Sequence, residues 1–297
     1  QGKAKSAGAF YQSALAVAAR MSFAPPELQP AISRAQQKTA EYAQRFEAFL
    51  RDALSAAAAT ADKSANGAFG RSLDLMFGKR QIYGQQPQKY FFPELPNIQF
   101  YNRNRFDWVE KIEAYTDRIA NELATLIEQG SGFEPYVQQN ADRPRADHQS
   151  MVDNPDWSAF FLWKDGARVE ENAKRCPATM EALSLAPAPS IPGNSPTALF
   201  SMLRPGAGIP PHHGLINTRL ICHLPLIVPG DCALRVGDDT RAWKRGEMLI
   251  FDDTIEHEAW NNSADARIVL LFDIEQPAMT PEEHQAVEKL FAAIEAY

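Results

Sequence analysis

The chain has 297 residues, 45% hydrophobic and 23% charged, with 30 Lys and Arg against 37 Asp and Glu for a net charge of −7. That length can bury one large core or two smaller ones, and the composition is that of a soluble globular protein. The acidic balance counts against nucleic acid as a partner, which needs a concentrated basic face. No apolar run approaches the ~20 residues that span a bilayer, and no signal peptide is expected from the first residues of the sequence. Gln1 in place of an initiator Met suggests a trimmed N-terminus. Cys176, Cys222 and Cys232 have no framework spacing, which suits free, buried thiols in a reducing, cytoplasmic setting.

In chain order, Ala9 to Met21 reads as a helical segment, broken at Phe23-Ala24-Pro25-Pro26. From Ala31 to Leu54, Ile32, Ala35, Tyr42, Phe46, Phe49 and Ala53 recur close to the helical period. Residues 55–70 are small and polar and read as a loose connection. The expected division is an α-helical region over 1–77 and a second domain over 78–297. Two helices with a proline break resemble one worn unit of a tetratricopeptide-type array, with no second copy at a fixed period.

Residues 78–104 carry turn signals and aromatics and predict extended, partly buried chain. Asp107 is placed to cap a helix whose third position is Glu110, with Val109, Ile112, Thr116, Ile119, Leu123 and Leu126 as its apolar stripe and Gly130 as its stop. Residues 133–155, with Arg143, Arg145 and His148, read as a solvated loop; a lid or substrate contact is the functional alternative. Trp157 to Trp163 predicts a strand, 178–185 a small helix, and 186–196 a proline-rich bend.

From Thr197 the pattern changes to strands, over 197–203, 218–227, 232–236, 241–243, 247–252, 257–260 and 267–274. Short strands at this spacing predict an antiparallel barrel or jelly roll. Thr280-Pro281-Glu282-Glu283 opens a last helix. Val287, Leu290, Phe291 and Ile294 are its expected buried face, and His284 an expected solvated side chain.

Residues 211–274 hold four of the six histidines, at 212, 213, 223 and 257. Neutral imidazoles brought together in a barrel suit a first-row transition metal. His212 follows Pro210-Pro211 and is expected in a tight loop at a strand end; His257 opens another strand after Asp252-Asp253. Arg267 is expected on the strand paired with that of His257 through an NNSADA hairpin. The same hairpin explains Asn261-Asn262-Ser263 better than a glycosylation sequon does. A buried arginine needs an anion, and a carboxylate matches it best, so a carboxylate co-substrate chelated at the metal follows. On these residues alone, a metal-storage barrel, an isomerase or an inactive scaffold remains equally open.

PHHG at 211–214, NTRLICHL at 217–224, GEMLIFDDTIEHEAW at 246–260 and RIVLLFDI at 267–274 resemble the aspartyl/asparaginyl β-hydroxylases, as do DWSAFFLWKDG at 156–166 and ENAKRCPAT at 171–179. The resemblance covers roughly residues 90–280. It implies an α+β protein: a double-stranded β-helix (jelly-roll, cupin-like barrel) with flanking helices and an α-helical N-terminal region. It implies an iron(II)- and 2-oxoglutarate-dependent dioxygenase with His212 and His257 as iron ligands. Arg267 and Ser201 would take the far 2-oxoglutarate carboxylate, His223 the metal-proximal one, and Trp157 would line the pocket. Gly214 stands where a third, carboxylate ligand would be, an absence the family shares, with water in the vacant position. Ile221 departs from an arginine common in the family, and Arg219, two residues away on the same strand face, is its expected substitute. His213 is expected to be a supporting neighbour of the metal. The implied reaction converts 2-oxoglutarate and dioxygen to succinate while hydroxylating a C–H bond, expected at the β-carbon of Asp or Asn in a peptide or protein. A small molecule or lipid acyl chain as substrate, or a non-catalytic metal-binding interaction protein, are the alternatives.

Overall fold

Alanine and proline set the first part of the chain. The computed structural model describes residues 2–21, 23, 25–65, 67–138 and 151–297, and they form two compact units, Gln1–Gln81 and Ile82–Tyr297. The first holds α1 (Gly2–Ala19), a single 3-10 turn at Pro26–Leu28, α2 (Gln29–Ala65) and α3 (Ala68–Met76). Tyr11 of α1 stacks on Tyr42 of α2 with ring centroids 6.3 Å apart. The expected loose connection at 55–70 is instead the last turns of α2 and the start of α3. Alanine has the highest intrinsic helix propensity, and the run at 56–59 extends the helix without needing a periodic apolar face.

The second unit opens with β1 (Phe100–Tyr101), α4 (Val109–Glu113) and α5 (Thr116–Glu128). The single helix expected after Asp107 is thus two. Trp108, not Asp107, precedes the first, with no side-chain cap. The break follows Glu113, whose carbonyl accepts from the Thr116 hydroxyl at 2.6 Å. Gly130, with φ +63°, ends the second helix as expected. Then come β2 (Glu134–Pro135), β3 (Trp157–Lys164), β4 (Ala167–Arg168), α6 (Glu170–Ala173) and α7 (Pro177–Leu183). Arg143, Arg145 and His148 lie outside the described residues.

The remaining strands are β5 (Ala198–Leu203), β6 (Gly208–His212), β7 (Arg219–Ile227), β8 (Cys232–Val236), β9 (Asp239–Ala242), β10 (Leu249–Phe251), β11 (His257–Asn261) and β12 (Arg267–Glu275), followed by α8 (Pro281–Ala296). They make two antiparallel sheets. The larger runs β1-β10-β7-β12-β5-β3-β2, with β4 on β3, and the smaller β6-β11-β8-β9. This is a double-stranded β-helix with flanking helices. On the larger sheet's outer face, Leu220, Leu224, Leu270, Phe272 and Phe200 pack with Ile112, Ile119 and Leu123 of α4 and α5. Its inner face meets the smaller sheet through Ile221, Val269, Leu271, Leu199, Ile209, Leu234 and Ala259. Strand alternation therefore decides which side chains enter the space between the sheets.

Four expectations change here. Gly208–His212, read as a loop, is a strand. Its two prolines are tolerated because β6 is an edge that pairs with β11 alone, so the missing N–H groups leave no ladder broken. β11 and β12 are not a hairpin: β11 pairs β6 and β8, while β12 pairs β5 and β7. Residues 262–266 carry the chain from one sheet to the other, anchored by the Asn261 side chain. Its amide donates to the carbonyls of Leu203 (3.0 Å), Arg204 (3.1 Å) and Asp265 (2.8 Å). In α8 the Thr280–Glu283 capping box forms and Val287 and Phe291 are buried, but Leu290 and Ile294 are exposed. His284 is not merely solvated, because its Nε2 lies 3.1 Å from the Gln276 carbonyl oxygen.

Candidate active site

His212 and His257 face each other across the β6–β11 pair, with ring centroids 4.0 Å apart. A β-bulge brings this about. Ile209 points into the core, and on a regular strand His212, three residues on, would point away. The register shifts between His257 and Ala259, so Pro210 and Pro211 together oppose Glu258, and the extra residue turns His212 inward. Each ring is then oriented locally. Nδ1 of His212 lies 2.8 Å from the Pro210 carbonyl, and Nδ1 of His257 3.1 Å from that of Ile255. A carbonyl only accepts, so Nδ1 carries the proton and Nε2 the lone pair, the tautomer a metal needs. Burial, and then the neighbouring His212, keep His257 well below the ordinary imidazole range and hence neutral at neutral pH.

Arg267 lies in the same interior on the larger sheet, 1% exposed. Its Nη1 donates to the Ser201 carbonyl at 3.3 Å and reaches Ser201 Oγ at 3.5 Å, and its Cζ sits 4.6 Å from the centre of the Trp243 ring. Its buried Nε has no hydrogen-bond partner, and no carboxylate among the described residues pairs with it. Burial pushes the guanidinium down to about 10, which leaves it charged at neutral pH. A buried, charged arginine without a counter-ion is an anion receptor.

Two chains of contacts join the imidazoles to the arginine. Along one, Phe251 lies between His257 (5.8 Å) and His223 (5.0 Å); Trp243 Nε1 donates to His223 Nδ1 at 3.3 Å, and the Trp243 ring covers Arg267. Along the other, Trp157 sits 6.2 Å from the His212 ring and donates through Nε1 to Ser201 Oγ at 3.2 Å, which touches Arg267. Tyr136 stacks on Trp157 at 4.1 Å. Burial and then the Arg267 charge hold His223 well below the usual imidazole range. Its Nδ1 accepts, so its proton is on Nε2, a donor.

Arg219 also points inward, with Nη2 3.1 Å from Asp253 Oδ2 and Nε 3.8 Å from Asp273 Oδ2, while Nε and Nη1 make no hydrogen bond. Ile221 sits between Arg219 and His223 on that face and packs into the inner apolar cluster. Asp253 explains Gly214. A Cβ at Gly214 would stand 2.2 Å from Asp253 Oδ2 and 2.3 Å from its Cγ, so that carboxylate occupies the space where any side chain at 214 would begin. His213, next in sequence to His212, buries an Nε2 that has no partner. Among the described residues, no three His, Cys, Asp or Glu side chains gather in a way that could hold a metal ion.

His212, His257, Arg267, Ser201, His223, Trp157 and Arg219 therefore all face the space between the sheets. Sequence reasoning passed over Trp243, Tyr136, Asp253 and Asn261. Trp243, a large aromatic between Arg241 and Lys244 in a polar turn, was the one readable signal. The other three act through tertiary contacts.

Residues 113–277 match the family described as Aspartyl/Asparaginyl beta-hydroxylase. An ornithine lipid ester-linked acyl 2-hydroxylase from Rhizobium tropici is 34% identical over 193 residues, 64% of this chain and 65% of that protein. The Homo sapiens aspartate beta-hydroxylase domain-containing protein 2 is 31% identical over 70% of this chain and 55% of its own length. The Homo sapiens aspartyl/asparaginyl beta-hydroxylase is 33% identical over 47% of this chain and 18% of its own length. The chain thus spans less than two thirds of these relatives. Among solved structures, the Schizosaccharomyces pombe Cnp3 cupin domain aligns at 11% identity over 45% of this chain and 72% of that one, with a TM-score of 0.29, too loose to bear on function.

Proposed function

The chain belongs to the aspartyl/asparaginyl β-hydroxylase family, and from that premise we propose that it is an iron(II)- and 2-oxoglutarate-dependent dioxygenase. The observation that carries this reading is the pairing, in one interior, of two facing imidazoles, with His257 held neutral by burial, and a buried arginine that lacks a counter-ion among the described residues. The donor set fits the metal: His212 and His257 present Nε2 lone pairs, and Gly214 leaves the other positions to non-protein ligands. When bound, iron(II) supplies the redox chemistry that couples dioxygen reduction to oxidative decarboxylation of the 2-oxo acid and hydroxylation of a C–H bond.

The chain's own residues bind and orient. Arg267 keeps its charge and takes the far carboxylate. Ser201 Oγ already accepts from Trp157, and touches Arg267, so its hydroxyl proton is left to donate to that same carboxylate. His223, protonated on Nε2, donates to the metal-proximal carboxylate. Trp157, Trp243 and Phe251 wall the pocket against water, and Arg219 supplies the cationic face that Ile221 lacks. We assign the substrate carbon to the β-position of an Asp or Asn residue in a peptide or protein. A lipid acyl chain is the second reading, favoured by the Rhizobium tropici relative, which aligns over more of this chain than the human hydroxylase does. Three buried cysteines without disulfides suit a cytoplasmic setting.

The test is succinate release with iron(II), 2-oxoglutarate and dioxygen against peptide, free amino acid and lipid pools. The expected result is iron-dependent turnover stimulated by one pool. Wild-type-like succinate release from His212→Ala or His257→Ala overturns the assignment.

A further inference from the structure

The two histidines stand where their ladder is weakest. His212 is the last residue of β6 and His257 the first of β11, and the register shift beside His257 separates that pair from the rest of the ladder. A bulged ladder end holds its last pair only as firmly as the loops beyond it are held. Residues 82–97 cross both loops. Gln86 N donates to the Thr254 carbonyl at 2.7 Å, just before His257. Gln88 N donates to the Gly214 carbonyl at 3.0 Å and Lys89 N to that of Leu215 at 2.9 Å, just after His212. Tyr90 meets Phe291 of α8 edge-on at 5.6 Å, and Phe92 and Leu95 pack on the same cluster, which anchors this strap. The strap lies outside residues 113–277, which match the family.

One side chain of the strap spans both loops. Gln85 Nε2 donates to Asp252 Oδ2 at 2.5 Å, and Gln85 Oε1 accepts from Asn217 Nδ2 at 3.0 Å. Asp252 and Asn217 are fully buried. Asp252 also accepts from N and Oγ1 of Thr254, and the next residue, Ile255, supplies the carbonyl that orients His257. Asn217 is held in turn by the N–H and carbonyl of Phe92, at 2.7 and 2.8 Å. A glutamine suits position 85 because its amide donates on one side and accepts on the other. An apolar side chain there would leave two buried polar groups short of a partner.

We propose that Gln85 is a positioning residue of the metal centre: by bridging Asp252 and Asn217 it fixes the loop before His257 against the loop after His212, and with them the approach of the two imidazoles. The proposal rests on the reading of His212 and His257 as metal ligands. Gln85 acts through the two loops rather than on the metal.

The test is cobalt(II) titration of the metal-free full chain, read by the visible absorption of the bound ion. The same metal-free protein is titrated calorimetrically with 2-oxoglutarate. Gln85→Met keeps the side chain's length and removes both hydrogen bonds. It should weaken cobalt(II) binding about tenfold or more and shift the visible bands, while 2-oxoglutarate affinity stays within about twofold of wild type. Gln85→Asn, too short to reach both partners, should do the same and replaces Gln85→Met if that variant fails to fold. Gln85→Glu/Asp252→Asn exchanges donor and acceptor across the bridge and should hold cobalt(II) affinity within about threefold of wild type. Wild-type cobalt(II) affinity in the single variants overturns the proposal. So does an equal loss of 2-oxoglutarate affinity, the mark of general loosening, or an exchanged pair that binds no better than Gln85→Met. No cobalt(II) binding by the wild type would overturn the metal reading itself, and the proposal with it.

Discussion

The two ends of the pocket are built by opposite means. At the histidine end, two rings are oriented by carbonyls two residues back in the chain, so the geometry is local. At the arginine end, Ser201 from β5 and Trp243 from the turn after β9 converge on a charge that no described carboxylate neutralises. The first end is preorganised at little electrostatic cost. The second holds a desolvated cation whose cost is recovered only when an anion arrives. Metal affinity should therefore depend on backbone register, and co-substrate affinity on charge.

The largest expected effect tests the first end. His212→Ala and His257→Ala should each lower succinate release by on the order of 10³-fold or more, while calorimetric titration still detects 2-oxoglutarate at Arg267. Loss of all 2-oxoglutarate binding would mean that the two ends are not separable. Next, Arg267→Met should weaken 2-oxoglutarate binding by on the order of 100-fold and yet raise the melting temperature of the ligand-free protein, by about 1–3 kcal/mol of unfolding free energy. A fall in both would show that the charge is already compensated.

A smaller effect is expected at Gly214. Gly214→Ala forces the Asp253 carboxylate off Arg219 and should cost about 1–3 kcal/mol in denaturant unfolding. Adding Asp253→Ala should recover part of it, and strict additivity would rule out the clash. Confined to one pH window is an effect at Asp252, which accepts from Thr254 N and Oγ1 and from Gln85. Burial first, and then Asp253, push its carboxyl up from 3.8 to about 6, against the hydrogen bonds. A carboxyl raised in the folded state binds its proton more tightly there than when unfolded. Its contribution is therefore fully present below pH ~4 and lost as pH rises to about 6, on the order of 3 kcal/mol at most. The stability difference between wild type and Asp252→Asn should fall across that window and stay flat above it. A difference that rises instead would reverse the sign.

What the sequence disclosed follows the same division. Cys232–Val236 is a strand with the expected bounds, and β5, β7, β10, β11 and β12 lie within a few residues of theirs, because alternation and turn residues are local signals. His212 and His257 stood out for the same reason. β6 was hidden because two adjacent prolines read as a break, and only its edge position makes them acceptable. Pairing β11 with β12 followed the Asn-rich turn between them, whereas two long-range bonds from Asn261, to the Leu203 and Arg204 carbonyls, send the chain to the other sheet. Trp243, Tyr136 and Asp253 do their work across the interior, where sequence spacing says nothing. Leu290 and Ile294 fit the period of α8 but lie beyond the width of the stripe its neighbours cover.

The extra residue at Pro210-Pro211 behaves like a reading frame for the strand. With Ile209 and His212 three residues apart, a straightened strand would keep every donor side chain in the sequence and send one imidazole to the solvent side, whereas one residue fewer would set that histidine inward without any bulge. A chain could thus keep both histidines and lose their pairing through the bulge alone. Spacing around the histidine, as much as its presence, decides whether the two rings meet.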